Sequence, residues 1–463
     1  MVLMLMFLAG CLADPETDDA VVEPVGPGAV ELVAASFSPS VLLGQPETYG
    51  VGGEPSVAVA GDGTIYVSAP IIPLLDAYDP LGECCGQGRV WRSDDGGQSF
   101  TLLNDADGRL TEEGRGNGDT DLAVDAKGRV HFVDLGGGIP YLSSVDRGST
   151  WEHHGVLNEE DRPVDRQWID AHGDGLVVAT WAAQDGSPRG ITATVSRDGG
   201  ATWSAPTDIV DGMIQLGPVD IAPDGLHVLQ PYVRSSDRGL HVMVSGDGAA
   251  SWSDVDTGYR LPRADDVVIE GVSVANRWSP TVIFPVAATD AGGTAYLVWS
   301  EYEPDASTRI AWMRSLDGGL EWEAPRYLTG VETSAVLPWL VAGDAGRIAV
   351  AYLRSDMDMD PNMGPHEWKL EVATVLDAHT QPWIEVGTAG EGPVHFGAVC
   401  PHGGGCTTRY VPLYGDRTLL DFFEAALTPA GDLVVVWTQT DTEDGRNPQV
   451  RFAAQAAGTR LLG

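Results

Sequence analysis

Three arginines stand at matching positions, each just before a stretch that reads as a β-strand. Arg166 and Arg417 share the pattern Asp-Arg-x-x-x-Asp, and Arg277 precedes Trp-Ser-Pro. The planar guanidinium of arginine binds a carboxylate through two parallel hydrogen bonds, so arginines from several strands can together hold an acidic ligand. The alternative is that each arginine pairs with an aspartate of its own pattern and only supports the entry to its strand.

Alternating carboxylates form a second candidate site. Asp356, Asp358 and Asp360 are followed by Glu367 in the twelfth position, which resembles a calcium-binding EF-hand loop. Pro361 replaces the glycine that such a loop needs, and strands rather than helices flank it. The sequence therefore predicts weak structural Ca²⁺ binding here, with a solvated acidic loop as the alternative. No motif requires a cofactor.

A repeated motif indicates which elements position these residues. It reads Ser-x-Asp-x-Gly with an aromatic residue three positions later, and its copies begin at Ser93, Ser144, Ser196, Ser245 and Ser315. Ala249 replaces the glycine of the fourth copy, and a worn sixth copy runs from Thr374 to Trp383. The aspartate can accept backbone N–H groups, the glycine can take a positive φ, and the aromatic ring can be buried. Each copy is therefore predicted to be a hairpin turn.

The strands around these turns predict an all-β fold. The aspartates of successive motif copies are spaced at intervals of roughly 50 to 70 residues, which is typical of propeller blades. Each copy follows a pair of apolar strands joined by a glycine-containing turn. The pairs begin near Pro55, Thr120, Gln167, Pro218, Pro280, Pro338 and Asp421. We predict a single β-propeller of four-stranded blades, with seven blades favoured and six as the alternative. Residues 30–37 are expected to supply the outer strand that the last unit lacks.

The repeats resemble the Asp boxes of the sialidase (neuraminidase) superfamily over roughly residues 50–460. The resemblance implies an exo-acting glycosidase whose boxes lie on the face away from the active site. It also implies that three arginines from different blades hold the sugar carboxylate; Arg166, Arg277 and Arg417 are the candidates, with Tyr414 nearby. The Arg-Ile-Pro signature of that family is absent, and Glu54-Pro55-Ser56 stands in its place.

Sialidases use a tyrosine nucleophile paired with a glutamate, and a separate aspartate as acid and base. The resemblance therefore implies Tyr302 beside Glu301 as the pair, and Asp119 or Asp121 as the acid. Other candidates follow from their places in strand-entry segments or long loops: Tyr410 and Tyr414 for the tyrosine, and Asp76 and Glu54 for the acid.

The first residues predict export. Residues 1–11 form a short apolar run whose end, Leu8-Ala9-Gly10-Cys11, resembles a bacterial lipobox, which implies lipidation of Cys11. Residues 12–45 are then an acidic Pro- and Gly-containing tether, and residues 46–463 are the propeller. The protein is expected to be membrane-anchored and to face the cell exterior or periplasm. Cys400 and Cys406 are predicted to close a small disulfide loop.

The net charge of the chain limits the classes of ligand that it can bind. The net charge of −40 and the pI near 4.3 exclude nucleic acid as a ligand. We expect a monomer that contacts the membrane only through its lipid anchor and binds a glycan or another cell-surface ligand. Two functions fit: an exo-glycosidase acting on acidic sugars, or a non-catalytic surface propeller that binds a glycan or protein.

Overall fold

The computed structural model of the chain describes residues 32–44, 53–70, 88–103, 118–159, 162–184, 189–262, 268–269, 272–273, 284–305, 307–362, 364–399, 419–440 and 448–463. All of them belong to one compact unit, Leu32–Gly463. Within these ranges the chain forms β-strands and turns and contains no α-helix. Accordingly, none of the described segments is a helix that could span a membrane.

The strands follow one another in antiparallel sheets, most of which contain four strands that are consecutive in the chain. Two short strands come first, β1 (Ser36–Phe37) and β2 (Val41–Leu43). The next sheet contains β3 (Ser56–Val59), β4 (Ile65–Pro70), β5 (Gly88–Ser93) and β6 (Thr101–Leu102). It is followed by β7 (Thr120–Val124), β8 (Val130–Asp134), β9 (Pro140–Ser144) and β10 (Glu152–Val156).

Two four-stranded halves join into one eight-stranded sheet. The first half contains β11 (Val164–His172), β12 (Leu176–Ala183), β13 (Arg189–Ser196) and β14 (Thr207–Leu216). The second half contains β15 (Asp220–Ile221), β16 (Val228–Arg234), β17 (Gly239–Ser245) and β18 (Ser253–Arg260). After it, β19 (Val268–Ile269) and β20 (Val272–Ser273) pair with each other.

The remaining sheets repeat the pattern. One contains β21 (Val286–Thr289), β22 (Ala295–Tyr302), β23 (Thr308–Ser315) and β24 (Arg326–Tyr327). The next contains β25 (Ser334–Ala342), β26 (Ile348–Ser355), β27 (Glu367–Leu376), β28 (Trp383–Ala389) and β29 (His395–Phe396). The last contains β30 (Glu424–Leu427), β31 (Leu433–Thr440) and β32 (Pro448–Ala457), to which β1 and β2 are added.

The first strands of successive sheets, which we call the inner strands, contact one another. The order of contact is β3, β7, β11, β15, β21, β25 and β30, and β30 in turn contacts β3. Sheets arranged radially around a closed set of inner strands form a β-propeller. The predicted all-β class and the four-stranded antiparallel sheets are thereby confirmed.

The chain's first described strands complete the last sheet. Both β1 and β2 hydrogen-bond to β32, so an N-terminal segment does supply the outer strand that the last unit lacks. The strands are Ser36–Phe37 and Val41–Leu43 rather than the whole of residues 30–37. The tether predicted over residues 12–45 is corrected at its C-terminal end, because residues 36–43 contribute these strands to the sheet.

The repeated motif forms the turn after the third strand of a sheet. In the copy at Ser196, the serine Oγ donates to Asp198 Oδ1 at 2.9 Å, and Gly200 N–H donates to the serine Oγ at 2.8 Å. Thr202 donates its N–H and its hydroxyl to the two aspartate oxygens. Bonds from Thr202 and Ser196 lower the pKa of Asp198 to about 2. The aspartate is therefore an ionised structural acceptor that closes the hairpin.

The serine–aspartate and glycine (or alanine)–serine bonds recur in the other four copies. The worn sixth copy differs. Its Asp377 has a φ of 54°, and its aromatic residue, Trp383, is 57% exposed. The aromatic residues of the other copies pack instead against the cores of their sheets. The sixth segment has thus lost the contact that makes the motif stabilising.

The motif glycine also docks each sheet on the one before it. A Cβ at Gly200 would overlap the hydroxyl of Tyr141, and one at Gly97 would overlap the ring of Phe452. The second contact joins the first sheet to the last. The backbone at this position also favours glycine, because it is left-handed: Gly200 has a φ of +84°, and Ala249 in the corresponding place has 65°.

Gly200→Ala is expected to destabilise the protein more than Gly63→Ala does. Both positions have a positive φ, but nothing lies within 4 Å of a Cβ at Gly63. The left-handed backbone alone costs alanine about 1–2 kcal/mol, and overpacking against Tyr141 adds about 1–3 kcal/mol. Urea unfolding of the two variants measures the difference; equal losses would show that inter-sheet docking does not require this glycine.

Candidate functional site

Four non-glycine residues with left-handed backbone lie where inner strands begin. They are Glu54 (φ 54°), Arg166 (φ 50°), Leu337 (φ 57°) and Leu420 (φ 58°). Near Arg166 and Leu337 the pairing of the inner strand with its neighbour also shifts register. Such conformations persist only when the surrounding structure enforces them, and they concentrate at functional sites. This end of the inner strands is therefore the candidate site.

The repeated turns lie at the opposite end of the sheets. Successive strands of each sheet are antiparallel, so the start of the first strand and the turn between the second and third strands share one end. The turn after the third strand, which holds the motif, falls at the other end. This arrangement agrees with the resemblance to sialidases, in which the boxes lie away from the site.

Arg166 reaches across the inner strands to another sheet. Its Nη2 donates to the carboxylate of Asp421, which lies just before β30, and its guanidinium carbon is 5.1 Å from the ring centre of Phe284. Its side chain is 5% exposed. Among the described residues its Nη1 has no hydrogen-bond partner. The hydrogen-bonded carboxylate is thus that of Asp421, and neither aspartate of its own Asp-Arg-x-x-x-Asp pattern supplies it.

Arg166 stays charged in this position. Burial by itself lowers the pKa of an arginine, but the carboxyl groups of Asp421, Asp119 and Glu54 together raise the pKa of Arg166 above its ordinary value. One donor direction of the guanidinium is used by Asp421, and Nη1 is left for an acceptor. The side chain therefore has the charge and the free donor that binding of an anionic group requires.

Glu54 is the neighbouring acid. It is 4% exposed, and its Oε1 accepts the N–H of Asp421 at 3.0 Å. Burial, followed by the charge of Asp119, raises the pKa of Glu54 well above that of an ordinary glutamate, and Arg166 only partly opposes this. Glu54 is therefore protonated under conditions in which an exposed glutamate is ionised. We call Glu54, Asp119, Asp165, Arg166 and Asp421 the Arg166 cluster.

Asp165 and Asp119 complete this cluster. Burial, then the charge of Asp119, raises the pKa of Asp165, and Arg189 lies with its Nη1 3.6 Å from the Asp165 carboxylate. The backbone carbonyl of Asp119 accepts a hydrogen bond from the Gln167 side chain. The structure thus brings together three of the predicted site residues, Arg166, Asp119 and Glu54.

Aromatic rings fill the space between the inner strands next to the Arg166 cluster. The rings belong to Trp168, Phe284, Trp339 and Phe422, all of them at most 8% exposed. Trp168 lies 5.1 Å from Phe284 and 5.0 Å from Phe422, measured between ring centres. Among the described residues, these rings provide the apolar floor of the candidate site.

Beyond these rings the inner strands enclose a cavity of about 310 Å³, lined by residues of every inner strand. Its carboxyl groups bind the next inner strand. Glu424 accepts the N–H of Val57 at 2.9 Å, and Asp121 accepts the N–H of Ile169 at 2.8 Å. In the same way Asp170 accepts the N–H of Ile221 at 2.7 Å, and Asp220 accepts the hydroxyl of Thr289 at 2.8 Å. We call Asp121, Asp170, Asp220 and Glu424 the axial carboxyls.

Burial raises the pKa of every axial carboxyl. It brings the pKa of Asp170 to about 6, that of Asp121 to about 7 and that of Asp220 to about 8, and it raises that of Glu424 in the same direction. Asp121, predicted as a catalytic acid, thus lies among carboxyls that join inner strands: it also accepts the Ser56 hydroxyl.

Tyr302 and Glu301, the predicted catalytic pair, are consecutive residues of β22. Successive residues of a strand point to opposite faces, so the two side chains have different partners. Glu301 accepts the hydroxyl of Tyr259 at 2.6 Å, which joins β22 to β18, the outermost strand of the preceding sheet. Tyr302 accepts the amide of Asn362 at 3.0 Å and donates to Asp360 at 3.3 Å. A catalytic role for either residue stays a prediction.

The three aspartates of the predicted calcium loop do not converge. Asp356 pairs with Arg354 at 2.8 Å and with Lys369 at 3.1 Å, whereas Asp360 is buried beside Asn362. Within the part of the chain that the structure describes, they do not form a group able to surround a metal ion, and Ca²⁺ binding by Asp358 and its neighbours stays a prediction.

Several predicted residues fall outside the described ranges: Arg277, Arg417, Tyr414, Tyr410, Asp76, Cys11, Cys400 and Cys406. The sequence analysis noted Glu54 at a strand entry but missed Asp421 and Asp165 as members of the site. The signal was present, because both belong to the Asp-Arg-x-x-x-Asp patterns that singled out Arg166 and Arg417.

No protein-family model and no curated protein matches this sequence. Solved structures are similar in fold. A protein of unknown function from Dyadobacter fermentans is 12% identical with a TM-score of 0.48, over 92% of this chain and 99% of that one. The NanB sialidase from Streptococcus pneumoniae is 11% identical with a TM-score of 0.43, over 90% of this chain and 70% of that one. YCF48, solved with a D1 peptide, is 11% identical with a TM-score of 0.46, over 92% of this chain and 100% of that one.

The raised pKa values of the axial carboxyls predict that the folded protein becomes less stable as pH rises. Their folded pKa values lie above the unfolded value of about 4, so their contribution is fully present below that pH. It is lost as the pH rises through about 6 to 8, where Asp170, Asp121 and Asp220 ionise in the folded state. We expect the melting temperature to fall by several degrees between about pH 5 and pH 8.5.

Asp220→Asn should flatten this dependence, because the amide cannot ionise. Asp224→Asn is the control, since the pKa of Asp224, an exposed aspartate, is lowered and its titration falls below the window. Calorimetry at several pH values makes the comparison. A melting temperature that rises with pH, or equal slopes in both variants, would contradict the assignment.

Proposed function

We propose that this protein is a seven-bladed, sialidase-like β-propeller that hydrolyses terminal acidic sugars of glycans at the Arg166 cluster. Seven blades are supported by the contacts of the inner strands, which run in order from β3 to β30 and return from β30 to β3. The eight-stranded sheet counts as two blades, because β11 and β15 each begin a four-stranded half.

The observation that carries the proposed activity is a protonated acid beside a carboxylate and an arginine. The raised pKa of Glu54 makes it a proton donor, and the charge of Asp119 contributes to that rise. Arg166 presents a buried Nη1 without a described partner. Most glycosidases use a proton donor together with a carboxylate, and a guanidinium can bind a sugar carboxylate.

In the proposed reaction, Arg166 binds the sugar carboxylate through Nη1. Glu54 donates its proton to the glycosidic oxygen as the bond from that oxygen to the anomeric carbon breaks. Water then adds its oxygen to the anomeric carbon and gives a proton to Asp119. The sequence of steps hydrolyses one glycosidic bond and leaves both carboxyls to exchange protons with solvent before the next turnover.

A second candidate function is binding without hydrolysis. Asp421 already neutralises much of the charge on Arg166, and aromatic rings close the space beside it. A site of this kind can hold a glycan against its aromatic floor while no water is activated. In either case the ligand is a glycan and the protein acts as a monomer.

Hydrolysis of a fluorogenic sialoside by the full chain, beside uronic and neutral glycosides, tests the activity. Glu54→Gln is expected to lower kcat by roughly 10²- to 10⁴-fold, because a general acid contributes about that much. KM should change little. The rate of the unaltered protein should fall as pH rises, since Glu54 must be protonated.

Glu152→Gln serves as the matched control, because Glu152 is exposed on the outer strand β10, away from the Arg166 cluster. Asp119→Asn provides a second loss-of-function variant should Glu54→Gln fold poorly. If both variants release sugar as fast as the unaltered protein does, the assignment of Glu54 and Asp119 as catalytic residues is refuted. No release from any substrate by folded protein would favour the binding function, which glycan arrays would then measure.

We further propose that the protein is exported and anchored through a lipid on Cys11, as its resemblance to a lipobox implies. Cys11→Ser is expected to move the protein from the membrane fraction to the soluble fraction of an expressing bacterium. An unchanged distribution would show that Cys11 does not carry the anchor.

A further inference from the structure

A cluster of metal-binding side chains lies on β17, β18 and the turn before β17. Asp237 is in the turn, His241 is in β17, and Asp256 stands opposite His241 in the strand register. His241 Nε2 is 3.9 Å from an oxygen of Asp237 and 3.8 Å from an oxygen of Asp256. One ligand atom from each of the three lies within 4.8 Å of the other two. We call these residues the His241 site.

The imidazole of His241 aims an unused lone pair into this cluster. Its Nδ1 is 3.0 Å from Asp254 Oδ1, and a carboxylate only accepts, so Nδ1 carries the proton. Nε2 of the neutral ring is then a bare acceptor. It is buried in a side chain that is 6% exposed, and it has no hydrogen-bond partner among the described residues. Together with the two carboxylates, this lone pair makes a set of donor atoms that suits a metal cation.

Arg260 now occupies the cation position in part. Its Nη2 lies 2.6 Å from an oxygen of Asp256 and 2.9 Å from an oxygen of Asp237, but the side chain is 40% exposed and ends in solvent. Its Nη1 and Nη2 donate hydrogen bonds to Asp256, and His241 Nε2 receives none from a described residue. Gly239 keeps the space open, because a Cβ there would come within 2.9 Å of His241 Nε2.

We propose that Asp237, His241 and Asp256 bind one divalent transition-metal ion, for which Zn²⁺ is the best match, when Arg260 swings into solvent. Imidazole and carboxylate are ordinary zinc ligands, at about 2.0–2.2 Å, so ligand atoms around one tetrahedral ion lie about 3.3–3.6 Å apart. The separations of 3.9 and 3.8 Å from His241 Nε2 to the Asp237 and Asp256 oxygens must therefore shorten when the ion binds. Asp254 orients the imidazole through Nδ1, the arrangement common behind metal-bound histidines.

The His241 site lies at the same end of the sheets as the Arg166 cluster. The turn between β16 and β17 is a second-to-third-strand turn, and such turns share an end with the starts of the inner strands. Three protein ligands leave the fourth position of a tetrahedral ion to water or to an oxygen of a ligand bound on that face.

Isothermal titration of the full chain with ZnCl₂ tests the proposal, and it does not depend on the proposed hydrolysis. We expect one equivalent of Zn²⁺, bound at least 10-fold more weakly by Asp237→Asn and by Asp256→Asn. Arg260→Ala should bind more tightly, because a competing cation is removed. Asp224→Asn is the matched control: Asp224 and His227 form an exposed pair elsewhere, for which no third ligand lies among the described residues, so affinity should not change.

Cobalt(II) gives a second readout, since its visible spectrum distinguishes tetrahedral from octahedral coordination. Circular dichroism shows whether each variant is folded, and the exposed Asp256 and Arg260 supply informative variants if Asp237→Asn is not. Failure of the folded protein to take up Zn²⁺ would overturn the proposal. So would uptake that both aspartate variants leave unchanged, because the ion would then bind elsewhere.

Discussion

The structure depends on how each inner strand is attached to the next. Inner strands of neighbouring sheets belong to different ladders, so side chains must join them. Four of these joints are made by the axial carboxyls, each of which accepts a backbone N–H or a hydroxyl from the following inner strand. A buried acid without such a bond would be costly, and even with it the pKa is raised. The axial carboxyls thus join the inner strands to one another, but their ionisation lowers the stability of the fold at high pH.

This closure makes the Arg166 cluster possible. Arg166 lies in β11 and hydrogen-bonds to Asp421, which precedes β30. Those two strands are not neighbours around the centre. Only a closed set of inner strands brings their ends within reach of one another. The left-handed backbones of Glu54 and Arg166 then turn both side chains into the same space.

The two sites on this face differ in what they can bind. The Arg166 cluster combines one buried cation with several acids, of which Glu54 has a raised pKa, so it offers hydrogen-bond donors to an anionic group. The His241 site offers lone pairs from one imidazole and two carboxylates, so it suits a metal ion. A propeller presents both on one face because second-to-third-strand turns and inner-strand entries alternate around it.

Local sequence determined much of the fold. The hydrogen bonds of a Ser-x-Asp-x-Gly turn join residues of the turn itself, as those within Ser196–Gly200 show. The repeat therefore specified hairpins and the all-β class without tertiary information. The site was only partly predictable: Arg166, Asp119 and Glu54 were identified from strand-entry patterns. The pairing of Arg166 with Asp421, separated by 255 residues, and of Tyr259 with Glu301 was decided by the tertiary structure. The tertiary structure also decided the raised pKa of Glu54, because that pKa depends on burial. These properties depend on which sheets become neighbours and on how much water is excluded between them, and neither quantity is written in the spacing of residues along the chain.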